Sequence, residues 1–234
     1  MRIAAVGDIH FTEGLVGALR PQYERLGDEA DVLLLAGDLS NMGRPSEVEA
    51  LLDELSEVRL PIVAVLGNHD HQSDAVQIMT ALIEDRGVHL LDGERVVLGI
   101  GGRSLGIVGA KGFCGGFAPH LVNGFGEREL RALIAQSVHE AKKLEAALAD
   151  LSADVRVALL HYAPIPDTLG EEPRELHAFL GSSLLLQPLE AARVQAVFHA
   201  HAHLGRHEGR TPGGIPVYNV AMPVLRKPYC VVTL

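Results

Sequence analysis

Five short apolar runs in this chain each stop at residues that can bind a metal ion or move a proton. Ile3 to Val6 leads into Gly7-Asp8-Ile9-His10, Val32–Ala36 into Gly37-Asp38, and Ile62–Leu66 into Gly67-Asn68-His69-Asp70. Val157–Leu160 ends at His161, and Val194–Phe198 runs into His199-Ala200-His201-Ala202-His203. A continuously apolar run such as Val32–Ala36 fits a strand buried on both faces. Strand alternation would aim Asp8 and His10 at one side of the sheet. A chain built this way has to bring five strand ends together around one polar cluster.

The intervening segments supply helices and further strands. Leu15 to Leu26 reads as a helix interrupted near Pro21, and Pro45 opens a helix whose Val48, Leu51, Leu52, Leu55 and Val58 follow the 3.6-residue period. Ser73 is a candidate N-cap for a third helix bearing Val76, Met79, Leu82 and Ile83, with Gly87 its stop. Val88–Leu91, Arg95–Ile100 and Ser104–Gly109, separated by Asp92-Gly93 and Gly101-Gly102, read as an antiparallel meander. Lys111 to Gly126 is a Gly-rich connection expected near the site entrance. The longest helix is expected over Glu127–Leu151, a shorter one over Arg174–Leu180 within the Pro-containing rim segment Tyr162–Leu186, and more antiparallel sheet from Arg206 to Leu234. Two sheets packed face to face with helices outside, in one domain over residues 1–234, is the architecture these elements imply.

Composition narrows the function classes. No apolar stretch reaches the ~18 residues of a bilayer span, so no membrane partner is expected. Twenty basic against 30 acidic side chains leave a formal net charge of −10, which repels bulk nucleic acid and favours a small phosphorylated substrate drawn in by bound cations. Cys114 and Cys230 are too few for a disulfide framework, and no charged-then-apolar leader precedes the first strand; the expectation is a cytoplasmic setting.

Asp, Asn and His without thiolates suit borderline or hard divalent ions and argue against a structural zinc site. Each residue alone has a structural alternative: Asp8 a helix N-cap, His10 or His161 a hydrogen-bonded core histidine, Asp38 a turn residue, Asn68 a position with positive φ. Together, in this order, they point to metal chemistry.

The order DxH, GD, GNHD, a lone His and a final HxH resembles the calcineurin-like metallophosphoesterase superfamily. The resemblance runs from Asp8 to His203, with Ala200 where the last motif usually has Gly. It implies a four-layer αββα sandwich, an α/β fold of two mixed β-sheets flanked by helices. It also implies that Asp8, His10 and His203 hold one ion, that Asn68, His161 and His201 hold another, and that Asp38 bridges them. The ions would be divalent or mixed-valence Mn, Fe, Zn, Co or Ni. The implied reaction is hydrolysis of a phosphodiester or small phosphomonoester by a hydroxide shared between the ions, with His69 as leaving-group acid and Asp70 orienting its imidazole. A pyrophosphohydrolase and a non-catalytic scaffold on the same fold are the alternatives. His199 and His71 are expected beside the site rather than in it. Cys114, with His120 or His161 as base, is a weaker candidate nucleophile, and Lys111, Arg174, Arg226 and Lys227 are candidate phosphate contacts.

Overall fold

The computed structural model describes Met1–Leu234. In chain order the elements are β1 (Arg2–Val6), the single-turn helices α1 (Arg20–Tyr23) and α2 (Leu26–Glu29), β2 (Val32–Ala36), α3 (Pro45–Glu54), β3 (Ile62–Val65), α4 (Val76–Asp85) and β4 (His89–Leu90). They continue with β5 (Glu94–Ile100), β6 (Arg103–Ala110), α5 (Arg128–Ala149), β7 (Val155–Leu160), α6 (His177–Leu180), α7 (Leu186–Ala192) and β8 (Ala196–His199). The chain closes with β9 (Glu208–Arg210), β10 (Pro216–Asn219), α8 (Met222–Leu225) and β11 (Cys230–Thr233).

The strands form two mixed sheets, in the orders β11-β1-β2-β3-β4 and β5-β6-β7-β8-β10-β9. In the first, β1 to β4 run parallel and β11 is antiparallel to β1. In the second, β6, β7, β8 and β10 run parallel between antiparallel β5 and β9.

Alternation along each strand sorts the apolar residues into three cores, and three cores between elements make four layers. Ala4, Val6, Leu33 and Leu35 face outward onto Val48 and Leu51 of α3 and Met79 and Ile83 of α4. Ile3, Ala5, Val32 and Leu34 face inward onto Ile107, Val157 and Phe198 of the second sheet. That sheet's other face, with Val108, Ala158, Leu160 and Val197, packs on Leu144 and Leu148 of α5 and Leu189 of α7. Each fully buried side chain of this size contributes about 1.5–3 kcal/mol, so the inner core holds the two sheets, and the loops at their ends, in fixed register.

Several sequence expectations are corrected. Leu15–Leu26 does not make one interrupted helix: Gly17 turns at φ +85° and the segment breaks into the single turns α1 and α2, with Pro21 at the start of α1. Ser73 caps nothing; its hydroxyl donates to the carbonyl of Gly43, and α4 starts at Val76. The meander is divided between sheets: β4 lies parallel to β3 at an edge of the first, while β5 and β6 form a hairpin in the second. The tail is divided likewise, β10 running parallel to β8 and β11 crossing to the first sheet. A sheet edge recruits whichever strand the connecting loop can deliver, and sequence proximity does not fix which edge that is. Pro45 does open α3, where Glu47 accepts the backbone N–H groups of Arg44 (3.4 Å) and Met42 (2.7 Å). Gly87, at φ +77°, does stop α4.

Candidate metal centre

The loops that follow the carboxyl ends of β1, β2, β3, β7 and β8 meet where the two sheets adjoin, and they bring the expected residues together. His203 Nε2 lies 3.4 Å from Asp8 Oδ1 and 3.5 Å from His10 Nε2. His161 Nε2 lies 2.9 Å from Asn68 Oδ1 and 3.5 Å from Asp38 Oδ1. The other Asp38 oxygen, Oδ2, is 3.8 Å from His10 Nε2. Asp38 therefore offers one oxygen to each side. The ligand atoms of Asp8, His10 and His203 could hold one ion and those of Asp38, His161 and His201 another; a third overlapping set is His10, Asp38 and His69.

The backbone reaches this arrangement by leaving the strand conformation. Strand alternation does not aim Asp8 and His10, because β1 ends at Val6 and both residues are left-handed, at φ +51° and +45°. Asp38 (φ +51°) and His201 (φ +71°) are left-handed too. Such values are unfavourable for residues with a Cβ and persist only where surroundings over-determine them. Here the loops lace together: the N–H of Asp8 donates to Gly37 O (3.0 Å), that of His10 to Asp38 O (3.0 Å), and that of His201 to Asp8 Oδ2 (2.7 Å). Asn68, by contrast, has φ −72°, so positive φ is not what places an Asn there.

Two glycines make the approach possible. A Cβ on Gly67 would sit 2.1 Å from Asp38 Oδ1. One on Gly7 would sit 2.6 Å from the Cβ of Ala200. The extra methyl of Ala200 in the last motif is thus received by the missing side chain of Gly7, and the turn closes without losing His201 or His203.

Asp70 is not where the sequence reading put it. Its carboxylate, fully buried, accepts Gly67 N–H (2.8 Å) and Leu39 N–H (3.2 Å) on Oδ2, and Ser40 N–H (2.9 Å) and Ser40 Oγ (2.6 Å) on Oδ1. It ties the loop after β2 to the loop after β3 and does not bond the His69 ring. Burial, with the charge of Asp38, pushes its pKa up, and the hydrogen bonds from Gly67 N–H and from the Ser40 hydroxyl and N–H pull against that. The His69 ring is held instead through Nδ1, 2.7 Å from the carbonyl of Asn41. Carbonyls also steer His161, whose Nδ1 lies 2.9 Å from Ala36 O, and His201, whose Nε2 lies 3.3 Å from Phe179 O. These main-chain partners leave no mark in sequence, and neither does the contact of Tyr162 with His201, whose rings are tilted by 48° with centroids 4.3 Å apart.

The donor set fits divalent cations. Asp8 Oδ1, which faces the cluster, is buried with no hydrogen-bond partner. Asp8 and Asp38 are 2% and 1% exposed, and their ion-pair neighbours are all imidazoles, with no lysine or arginine to balance them. Burial drives His201 down to about 3 and lowers His10, keeping both as neutral lone-pair donors, the form a metal requires. Burial alone would raise Asp8, but the His203 contact and the charges of His161, His203 and His201 hold it below the ordinary carboxylate value.

The remaining candidates fall outside. His199 is fully buried, with Nε2 2.8 Å from Thr168 Oγ1, which leaves His201 and His203 as the members of the histidine alternation that reach the cluster. Cys114 is buried and its thiol pKa is raised by that burial, the reverse of an activated nucleophile. Arg174, Arg226 and Lys227 are exposed surface residues, and only Lys111 lines a cavity with Asn68. A larger cavity of about 640 Å³ between α5 and α7 contains none of these residues. No helix is long and apolar enough to cross a membrane.

Comparison with known proteins agrees with this geometry. The phosphopantetheinyl hydrolase of Mycobacterium tuberculosis has a similar fold, with a TM-score of 0.72 at 18% identity over 98% of this chain and 95% of that one. The protein TT1561 of Thermus thermophilus superposes with a TM-score of 0.59 at 16% identity, covering 99% and 98%. A probable cyclic nucleotide phosphodiesterase of Synechococcus sp. is 44% identical over 48 residues, a match spanning 20% of this chain and 19% of that protein. The family model for calcineurin-like phosphoesterases matches residues 1–205, and with the geometry above it identifies the chain as a member of the calcineurin-like phosphoesterase family.

Proposed function

We propose that this protein is a dinuclear metal-dependent hydrolase of small phosphate esters, with phosphodiesters ahead of phosphomonoesters. The observation that carries this reading is Asp38, whose two oxygens face separate Asp/His groups at 3.5 and 3.8 Å. Asp8, His10 and His203 would hold one cation and Asn68, His161 and His201 the other, with Asp38 placed between the two groups. Bound there, the cations supply Lewis acidity toward phosphoryl oxygens and lower the pKa of water. The chain's own groups do the rest. The Asn41 carbonyl accepts the His69 Nδ1–H and orients the ring; with Nδ1–H so held, a proton can pass from Nε2 to the departing oxygen only from the imidazolium form, which returns to neutral imidazole on transfer. The carbonyls of Ala36 and Phe179 fix the other imidazoles, so that His161 presents Nε2 and His201 presents Nδ1. Asp70 holds Gly67 against Leu39 and Ser40, and through them sets the spacing of Asn68 from Asp38.

The test is hydrolysis of bis(p-nitrophenyl) phosphate and p-nitrophenyl phosphate by the purified chain with Mn²⁺, with Asp38→Ala as blank. Diester cleavage that exceeds monoester cleavage and disappears in Asp38→Ala supports the reading. Metal bound without hydrolysis of either compound overturns it in favour of a pyrophosphohydrolase or a binding scaffold.

A further inference from the structure

A cavity of about 480 Å³ opens beside the metal centre and shares Asn68 with it. Lys111, Phe113, Tyr162, Asp92, Glu140 and Lys143 are among its lining residues. It is fastened to the centre through the main chain, because the Lys111 carbonyl accepts the N–H groups of His161 and Tyr162, both at 3.1 Å.

The charges in this cavity are unevenly paired. Lys143 takes both acids, contacting Asp92 and lying 3.1 Å from Glu140. The second Glu140 oxygen is occupied by Gly112 N–H at 3.1 Å. Lys111 is left over: its ammonium makes no ion pair, and its one hydrogen bond, at 3.3 Å, goes to the carbonyl of Gly112. It sits instead over aromatic faces, 4.8 Å from the Phe113 centroid and 5.4 Å from that of Tyr162. Burial lowers its pKa from the ordinary lysine value, with Glu140 opposing. A half-buried cation backed by two rings and lacking a carboxylate gains more from an incoming anion than a solvated surface lysine does.

We propose that this cavity is a second substrate pocket, in which Lys111 binds a phosphate group carried beside the phosphoryl group held at the metal centre. The preferred substrates are then phosphate esters, diesters first, that carry a further phosphate group, rather than cyclic mononucleotides with one. This assignment rests on the reading of the centre as a phosphate-ester site.

Calorimetric titration of the full chain in Mn²⁺ buffer with adenosine 3′,5′-bisphosphate and with adenosine 5′-monophosphate gives a Kd ratio for each variant. One added charge-assisted contact corresponds to roughly a tenfold ratio in the native protein. Lys111→Met brings that ratio near one and Lys111→Arg keeps it. Because the ratio is internal to each preparation, partial loss of folded protein does not move it, and Lys111→Gln serves if the Met variant does not fold. A native ratio near one, or a preference that survives Lys111→Met, overturns the proposal. A ratio that behaves as expected in a chain unable to hydrolyse any phosphate ester upholds the pocket and removes the hydrolase reading.

Discussion

Asp70→Asn separates two roles that a carboxylate beside His69 could have. In the structure the side chain is a clamp with two donors on each oxygen. An amide must turn its NH₂ toward one pair. Facing Leu39 and Gly67 it would orphan two backbone N–H groups; facing Ser40 it orphans one, because the hydroxyl can rotate and become an acceptor. The second orientation wins, and one buried unsatisfied donor costs about 1–3 kcal/mol. For a chain of this size that lowers Tm by roughly 2–4 °C per kcal/mol, a shift resolved by thermal or denaturant unfolding. Turnover per folded, metal-loaded molecule should change little. Asp70→Ala orphans all three N–H groups and should cost more than the Asn variant. An Asp70→Asn protein with unchanged Tm and strongly reduced turnover would refute the clamp and restore the His–Asp pair.

Gly7→Ala should destabilise by about 1–3 kcal/mol through overpacking against Ala200 and Ala36, and adding Ala200→Gly should recover part of that in the same unfolding assay. His69→Asn should leave metal content, measured by elemental analysis, near that of the native protein while slowing hydrolysis most for poor leaving groups; equal rates for good and poor leaving groups would remove His69 as the acid. Chelation should abolish hydrolysis and lower Tm together, with both restored by Mn²⁺, since a cation that binds only the folded state stabilises it. Glu54 gives a pH prediction: burial would raise its pKa, but N–H groups of Gly17, Arg20 and Leu19 hold it below the ordinary 4.5. Its contribution is therefore fully present above that value and lost as the pH falls through the lower folded value, so the Tm gap between native protein and Glu54→Gln should narrow on acidification.

The strands, and the meeting of the polar residues that follow them, are legible in the sequence for physical reasons. Continuous runs such as Val32–Ala36 have one stable fate, burial on both faces, and the polar residues after them can meet only at a shared edge. What it could not carry was conformation at the loop itself. Alternation predicted the right partners for Asp8 and His10 by the wrong geometry, since left-handed backbone rather than a strand aims them. Adjacency suggested a His69–Asp70 pair, yet neighbours in a single helical turn point apart, and Asp70 turns to the donors of another loop. Sheet membership of β4 and β11 was equally hidden, because it depends on which edge lies open after the other strands have paired.

The four left-handed residues Asp8, His10, Asp38 and His201 have a bearing on how this protein tolerates heat. Each such conformation costs on the order of 1–3 kcal/mol, against a net stability of about 5–15 kcal/mol for a whole fold. Reactivity and thermal endurance therefore draw on one reserve. Asp38→Gly, silent as an enzyme, should melt above the metal-free native chain, and a lineage released from the reaction could harden its fold by the same route.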